Sequence, residues 1–320
     1  MSLLERMVRE LGVSEVNLQN TIKRAPHLYR VYTIKKRVGE GTRTIAHPAP
    51  ELKLLQRWLT ARVFAQLKVH ENVFSYKTGV STKDHAIRHK ASNYLLRIDL
   101  KNFFPSIGIK DVVRLLTRNA ESIHPRLNGD DILLAARISC RGSALTIGAP
   151  SSPTLSNAVL FGFDDTWSKN CAAIGVVYTR YADDLYFSTN VPNMLERVHK
   201  GVHEFLARME SPKLRVNELK TTFTSRKRRR VVTGLILTSD SKISVGRSRK
   251  RYIRSLVHKF VVRAVTEDDF AYLKGYISYA RNADPEFVSS LERKFGVDVV
   301  AEIGRQPHIA RKQSTLVRMS

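Results

Sequence analysis

Residues 178 to 188 read YTRYADDLYFS, with Asp183 and Asp184 adjacent among aromatic and β-branched residues that suit a sheet. Two carboxylates side by side in such a run have two readings. One is a hairpin turn, because Asp tolerates unusual backbone angles and solvates a tip. The other is a cation site, because hard divalent ions such as Mg²⁺ bind through one or two carboxylates plus substrate phosphates. A third acid bears on the choice: Asp99 closes the apolar run Leu95, Leu96, Arg97, Ile98. If that strand lies beside the 178 to 188 hairpin, three carboxylates converge, and so much unpaired negative charge is unfavourable without cations. Two Mg²⁺ ions about 4 Å apart would satisfy it, activating a 3′-oxygen while stabilising a leaving pyrophosphate.

The elements that must position these acids are legible from periodicity. NYLLRIDLKNFF, at 93 to 104, reads as a short strand ending in a charge, and VVYTRYADDLYFST as a hairpin. Before them, Leu3, Leu4, Met7, Val8 and Leu11, then Val16, Leu18 and Ile22, stand at helical spacing and predict two packing helices. YRVYTIKKRVGEGTRTIAHPAP alternates on both sides of Gly-Glu-Gly and predicts a β-hairpin. An amphipathic helix follows, with Leu52, Leu55, Leu59 and Val63 on one face. Residues 110 to 145 are mainly helical by pattern, and 149 to 170 begin with a Pro/Ser-rich turn and continue as an apolar helix. NMLERVHKGVHEFLARM is a helix, VVTGLILTSDSKISV a second hairpin, and the chain from Arg247 to about Lys294 is helical and strongly basic. Strands alternating with helices predict an α+β fold around an antiparallel sheet.

Charge narrows the partner. Lysine and arginine number 54 against 29 acids, a net of +25 spread from Lys23 to Arg318. Nucleic acid is the expected partner, since neutralising phosphates releases counterions. An anionic membrane surface is the rival, but there is no long apolar run, signal-peptide core or lipidation motif. Cys140 and Cys171 are the only cysteines, with no CxxC, so neither a disulfide framework nor a structural zinc is indicated. A reduced, cytoplasmic protein without a membrane partner is expected.

With these acids in place the chain resembles reverse transcriptases, and more closely those of bacterial retrons. The resemblance runs from about residue 30 to about 295. It is carried by RTIAHPAPELKLLQRWL at 43 to 59, FSYKTGVSTKDHA at 74 to 86, LLRIDLKNFFPSI at 95 to 107, GAPSSPTLSN at 148 to 157, YTRYADDLYFS at 178 to 188, LRVNELKTTF at 214 to 223 and VVTGLIL at 231 to 237. Seven motifs in order are specific where one would be weak. The resemblance implies a right-hand polymerase: N-terminal helices at 1 to 28, fingers at 29 to 94 with part of 108 to 145, palm at 95 to 107 and 146 to 238, and a basic helical thumb and tail at 239 to 320.

Residue by residue, the resemblance implies that Asp99 and Asp183 bind metal with the Leu100 carbonyl as an extra ligand, and that Asp184 supports them. It makes Phe104 a steric gate under the sugar, Arg43 a contact of the incoming dNTP triphosphate assisted by Lys36, and Lys220 a general acid toward pyrophosphate. Without the motifs, Phe104 would read as a core aromatic and Lys220 as a surface lysine. Gly148, Pro150, Ser151 and Pro153 match a turn approaching the templating pair, where glycine gives backbone access. Many relatives have glutamine before that glycine; this chain has Ile147.

Two features are retron-like. An Asn-Ala-x-x-His element of those enzymes is matched by His85, Ala86 and His89, with His in place of Asn at the first position. The alternative is a surface histidine pair, and its i,i+4 spacing mimics a zinc site that lacks a third ligand. The second is Val232, Thr233 and Gly234, a triplet in the segment that binds a structured RNA stem-loop. The preceding RKRRR, which includes Arg228, Arg229 and Arg230, has the charge to grip A-form RNA phosphates. The resemblance implies a cognate noncoding RNA as template, priming from a guanosine 2′-OH, a branched RNA–DNA product, and an anti-phage role with an effector protein. The alternatives are a group II intron-like enzyme using a 3′-OH primer and a non-catalytic RNA-binding scaffold. No RNase H, protease, integrase or nuclease motif and no maturase-like extension is read after the thumb, so neither a retroviral polyprotein nor a full group II intron protein is expected.

Overall fold

A computed structural model of the chain describes residues 1–35 and 41–305, so Lys36, Gly39 and Glu40 of the first hairpin lie outside the described residues. The chain divides into two compact units, Met1–Val80 with Asn93–Phe223, and Ser81–Ser92 with the chain from Thr224.

The first unit opens with helices Leu3–Leu11 (α1) and Glu15–Arg24 (α2), then the antiparallel strands Tyr29–Lys35 (β1) and Thr42–Pro48 (β2). Ser2 and Glu5 cap α1 reciprocally, which satisfies amide groups that a helix start leaves without partners. Pro50–Arg62 (α3) buries Leu52, Leu55 and Leu59, the face its spacing predicts, and Val63 just beyond it is buried too. In the second unit, Thr82–His89 (α4) is the short helix of the inserted segment.

The catalytic candidates sit on a four-stranded sheet. Tyr94–Asp99 (β3) is followed by helices Ile109–Asn119 (α5), Gly129–Ser139 (α6), Ser152–Val159 (α7) and Phe161–Ala173 (α8). The hairpin Val177–Tyr181 (β4) and Asp184–Thr189 (β5), helix Met194–Arg208 (α9) and strand Thr222–Ser225 (β6) come next. The strand order is β4-β5-β3-β6, with β5 antiparallel to both β3 and β4. In this register Asp99 stands opposite Asp184, and Leu96 opposite Phe187. Leu96, Ile98, Leu185 and Phe187 are fully buried, and α9 packs Leu195, Val198 and Val202 into the same core. Burying each such side chain contributes about 1.5–3 kcal/mol, so a one-residue slip that turned them outward would be heavily penalised. That core fixes which residues face each other across β3 and β5.

The second unit continues with Arg230–Val232 (β7), Leu235–Leu237 (β8) and Ile243–Ser244 (β9), a three-stranded meander where the sequence predicted a hairpin. The difference is the extra reversal through Thr238–Lys242, which brings Ile243 opposite Leu237. Helices Arg247–Val261 (α10), Glu267–Ala283 (α11), Pro285–Phe295 (α12) and Val297–Arg305 (α13) complete it, as the basic helical pattern predicted.

Candidate active site

Asp99 ends β3 almost completely buried, and its two carboxylate oxygens are both used. Oδ1 accepts a hydrogen bond from Asn217 Nδ2 and Oδ2 one from the Lys220 ammonium, each at 2.8 Å. The backbone reinforces this arrangement, because the Asn217 amide donates to the Asp99 carbonyl and the Leu100 amide to the Asp183 carbonyl, both at 2.8 Å. Thus the turn Glu218–Lys220 and the β4–β5 loop are stitched to the end of one strand. Asp183 has its pKa raised by burial first; the Asp99 charge adds to the rise, while Lys220 and Arg43 oppose it.

Asp184 is a different kind of acid. It lies under Arg97, whose Nε and Nη2 each reach Oδ1 at 3.0 Å. Burial nevertheless pushes its carboxyl up to about 6, with Arg97 pulling the other way and Asp183 adding to the rise. Among the described residues, the three acids do not form a group whose carboxylate oxygens all lie within 4.8 Å of one another. Asp99 stands opposite Asp184 across the strands, and its charge acts on both Asp183 and Asp184, so the three acids share one end of the sheet, with Lys220 on Asp99 and Arg97 on Asp184.

This donor set suits a divalent cation. Carboxylate oxygens are the ligands hard ions take. The Lys220 ammonium already marks a cation position beside Asp99, and the Asp99 charge acts on Asp183, so a cation between them would be attracted by both carboxylates.

The loop that presents Asp183 is held from behind by buried polar groups. Tyr181 pairs with Asp184, leaving Ala182 and Asp183 as a two-residue loop. Ala182 has φ of 55°, a left-handed conformation that costs a non-glycine residue about 1 kcal/mol or more. Its amide donates to Ser75 Oγ at 2.7 Å and its carbonyl accepts from Arg180 Nη1 at 3.2 Å. Arg180 is completely buried and meets Asp164 through two parallel bonds, Nε to Oδ1 at 2.8 Å and Nη2 to Oδ2 at 2.7 Å. Burial alone would lower the Arg180 pKa, but Asp164 outweighs it and the guanidinium stays charged. Asn157 closes the frame, accepting from Arg180 Nη1 at 3.1 Å and donating to the Ser75 carbonyl at 2.9 Å.

Known proteins share this chain's pattern over most of its length. Residues 34–259 match the family described as Reverse transcriptase (RNA-dependent DNA polymerase). The Retron Ec83 reverse transcriptase of Escherichia coli is 37% identical over 279 residues, covering 86% of this chain and 89% of that protein. The chain belongs to the retron reverse transcriptases. The Retron Ec73 reverse transcriptase of the same species is 34% identical, covering 86% of this chain and 89% of that protein. Apo telomerase from Candida tropicalis has a TM-score of 0.50 at 10% identity, over 86% of this chain and 61% of that one, a likeness of fold alone. This reverse transcriptase is an RNA-directed DNA polymerase with the α+β polymerase fold, and its domain type works with a divalent metal.

Of the nucleotide-side candidates in this reverse transcriptase, Arg43 on β2 lies near enough to Asp183 to stabilise its charge. Phe104 is half-buried in the turn Phe104–Ser106, 5.4 Å from the Phe103 ring and 6.5 Å from that of Tyr76. Gly148 has φ of 112°, and a Cβ there would stand 2.7 Å from the Ala46 carbonyl oxygen. Its freedom is thus used where the loop meets β2, and the Ile147 carbonyl accepts the Ala46 amide at 2.8 Å. At Ile147 the backbone docks β2. Pro150 is half-buried beside the buried Ser151.

Reasoning from sequence missed several residues. Tyr76, half-exposed with φ of 53°, has its pKa raised by desolvation and then by Asp183, which places it at the acids. Asn217, Arg97, Arg180, Asn157 and Ser75 all lie inside the quoted motifs, so position within a motif was the available signal.

The RNA-side candidates divide sharply. His85, Ala86 and His89 are fully buried, so they are not the surface pair that was the alternative, and burial holds the His85 pKa down to about 3. Arg228 and Arg229 are exposed, whereas Arg230 is completely buried and donates to the Ser92 and Thr238 carbonyls. Val232 is buried, and Thr233 and Gly234 form the β7–β8 turn with φ of 45° and 84°. Both positive values are the pattern of a type I′ turn, which a β-branched Thr adopts only at a cost.

Proposed function

We propose that this enzyme binds a structured noncoding RNA of its own, starts DNA synthesis from the 2′-OH of a guanosine in that RNA, and releases a branched RNA–DNA product. The observation that carries this reading is 37% identity across 86% of the chain to a retron enzyme. In this reading residues 29 to 94 with part of 108 to 145 are the fingers, 95 to 107 and 146 to 238 the palm, and 239 to 320 the thumb and tail. The protein works in the cytoplasm with an effector protein in anti-phage defence; no described helix is long and apolar enough to cross a membrane.

The chain's residues divide the work. Asp99 and Asp183, with the Leu100 carbonyl, hold two Mg²⁺ ions, which when bound supply activation of the attacking oxygen and neutralise charge on the pyrophosphate. Asp184 stays on Arg97 and stiffens the strand. Lys220 Nζ leaves Asp99 Oδ2 as the dNTP phosphates arrive and gives its proton to the departing pyrophosphate oxygen. Arg43, with Lys36, binds the triphosphate; the Phe104 ring excludes a ribose 2′-OH; Gly148 and Pro150 border the templating base. Arg228, Arg229 and the Thr233–Gly234 turn face RNA, while His85, Ala86, His89, Arg230 and Val232 shape that surface from within. Strain at Thr233 supports this, since a costly backbone conformation persists where the surroundings require it.

The deciding experiment is recovery of nucleic acid co-purified with the protein. An RNA–DNA hybrid that a debranching enzyme cleaves supports the proposal. Linear cDNA alone would point instead to an enzyme using 3′-OH primers. Asp183→Ala is expected to abolish metal-dependent dNTP incorporation while RNA still binds, and Phe104→Ala to let rNTPs compete. Undiminished synthesis by the first variant, or unchanged sugar choice by the second, would remove those assignments.

A further inference from the structure

Helix α9 carries His199 and His203 at i,i+4 spacing, so both imidazoles leave the helix on one side. Their Nε2 atoms approach to 3.3 Å. Glu218, from the turn that also carries Lys220, adds its carboxylate, with Oε1 at 2.7 Å from His203 Nε2 and Oε2 at 3.4 Å from His199 Nε2. Among the described residues this is the group of three metal-capable side chains whose ligand atoms all lie within 4.8 Å.

The distances bear on what could sit there. A tetrahedral zinc with bonds of about 2.0–2.1 Å requires ligand atoms about 3.3 Å apart. The His–His separation and the His199–Glu218 separation are of that size, while the shorter His203–Glu218 contact, at 2.7 Å, would have to open by about 0.6 Å to admit the ion. The side chains are 23%, 42% and 56% exposed in the order His199, His203, Glu218, which leaves access for an ion and a water. Two histidines and one carboxylate form a set borderline ions prefer, whereas Mg²⁺ favours oxygen alone.

The geometry points to a second metal site, for Zn²⁺ or a similar transition ion, at His199, His203 and Glu218, separate from the aspartates. Its position gives it a role: the ion would clamp α9 to the Glu218–Lys220 turn and so steady the lysine that contacts Asp99.

The test uses the full chain, stripped with chelator and kept in excess Mg²⁺, titrated with Zn²⁺ and, separately, with Co²⁺. The expected result is one tight Zn²⁺ per chain, visible bands of four-coordinate Co²⁺, and slowed amide exchange at 199–203 and 217–220. His203→Gln and Glu218→Gln should each weaken binding at least about tenfold, the scale on which changes around a metal site act. Equal affinity in those variants, exchange slowed only elsewhere, or no Zn²⁺ binding at micromolar concentrations would overturn the site. None of these readouts depends on polymerisation, so they stand apart from the priming proposal.

Discussion

Among the described residues, each unit buries one arginine completely, and the two are held differently. Arg180 in the first unit lies against Asp164 in a two-pronged ion pair that also reaches Asn157 and the Ala182 carbonyl. Arg230 in the second unit donates only to the Ser92 and Thr238 carbonyls, and its Nε has no partner among the described residues. The consequence appears in their pKa values: Asp164 raises that of Arg180 against the effect of burial, whereas burial and then the like charge of Arg226 lower that of Arg230. A buried charge with a matched counter-charge can hold a strained loop. One satisfied by carbonyls alone can only tie strands together. The first arrangement should therefore be costlier to break.

Arg180→Met is the largest test. Removing one partner of a buried pair leaves the Asp164 charge with no counter-charge, only the Tyr178 hydroxyl donating to it at 2.7 Å, at a cost of about 3–5 kcal/mol. Urea unfolding should show that loss, and polymerisation should fall further than stability explains, because Ala182 loses the bond that fixes Asp183. Normal activity in a folded Arg180→Met protein would break the link between this pair and the loop.

Acid attacks the other unit. His85 and His89 are buried there, and their pKa values are lowered by burial, that of His85 to about 3. The unfolded chain binds protons near the ordinary value of about 6.5, so it takes up more protons than the folded one below that pH. Their contribution is fully present above about pH 6.5 and is lost as pH falls toward 3; by pH 5 His85 alone accounts for roughly 2 kcal/mol. Denaturant midpoints compared at pH 7.5 and 5 measure this, and the slope should flatten in His85→Gln. An unchanged slope would mean these imidazoles do not govern the acid response.

These contrasts show what a sequence can and cannot disclose. The β4–β5 hairpin and the strand ending at Asp99 were legible because alternation of two residues specifies both faces and, through them, register. The nonequivalence of Asp183 and Asp184 followed from resemblance, but its cause, Arg97 two residues before Asp99, needed the cross-strand pairing. RKRRR looks uniform, and nothing local marks Arg230 as the residue that begins β7 and turns inward. The histidines teach the same lesson. His85 and His89 have the spacing of a metal site yet belong to no three-ligand group among the described residues. His199 and His203 share that spacing, and their carboxylate stands fifteen positions along the chain, where only the fold brings it near.

Arg230→Met should cost less than its counterpart. The substitution removes a buried charge that has no carboxylate, but leaves two carbonyls without donors, about 1–3 kcal/mol. A loss equal to that of Arg180→Met would erase the distinction between the two arginines.

The smallest effect on stability is expected next door. Arg228 and Arg229 are exposed, so replacing both with Ala should move the unfolding free energy by no more than about 0.5 kcal/mol. Their effect should appear in RNA binding instead. For every phosphate left without its cation, the steepness of log affinity against log salt falls by about 0.7–0.9, so the double variant should flatten that slope by roughly one to two. Because Arg230 spends its donors inside the unit, Arg230→Met should leave the slope nearly unchanged while lowering stability. Opposite signatures from neighbouring residues of one basic run would separate arginines that bind from the one that builds.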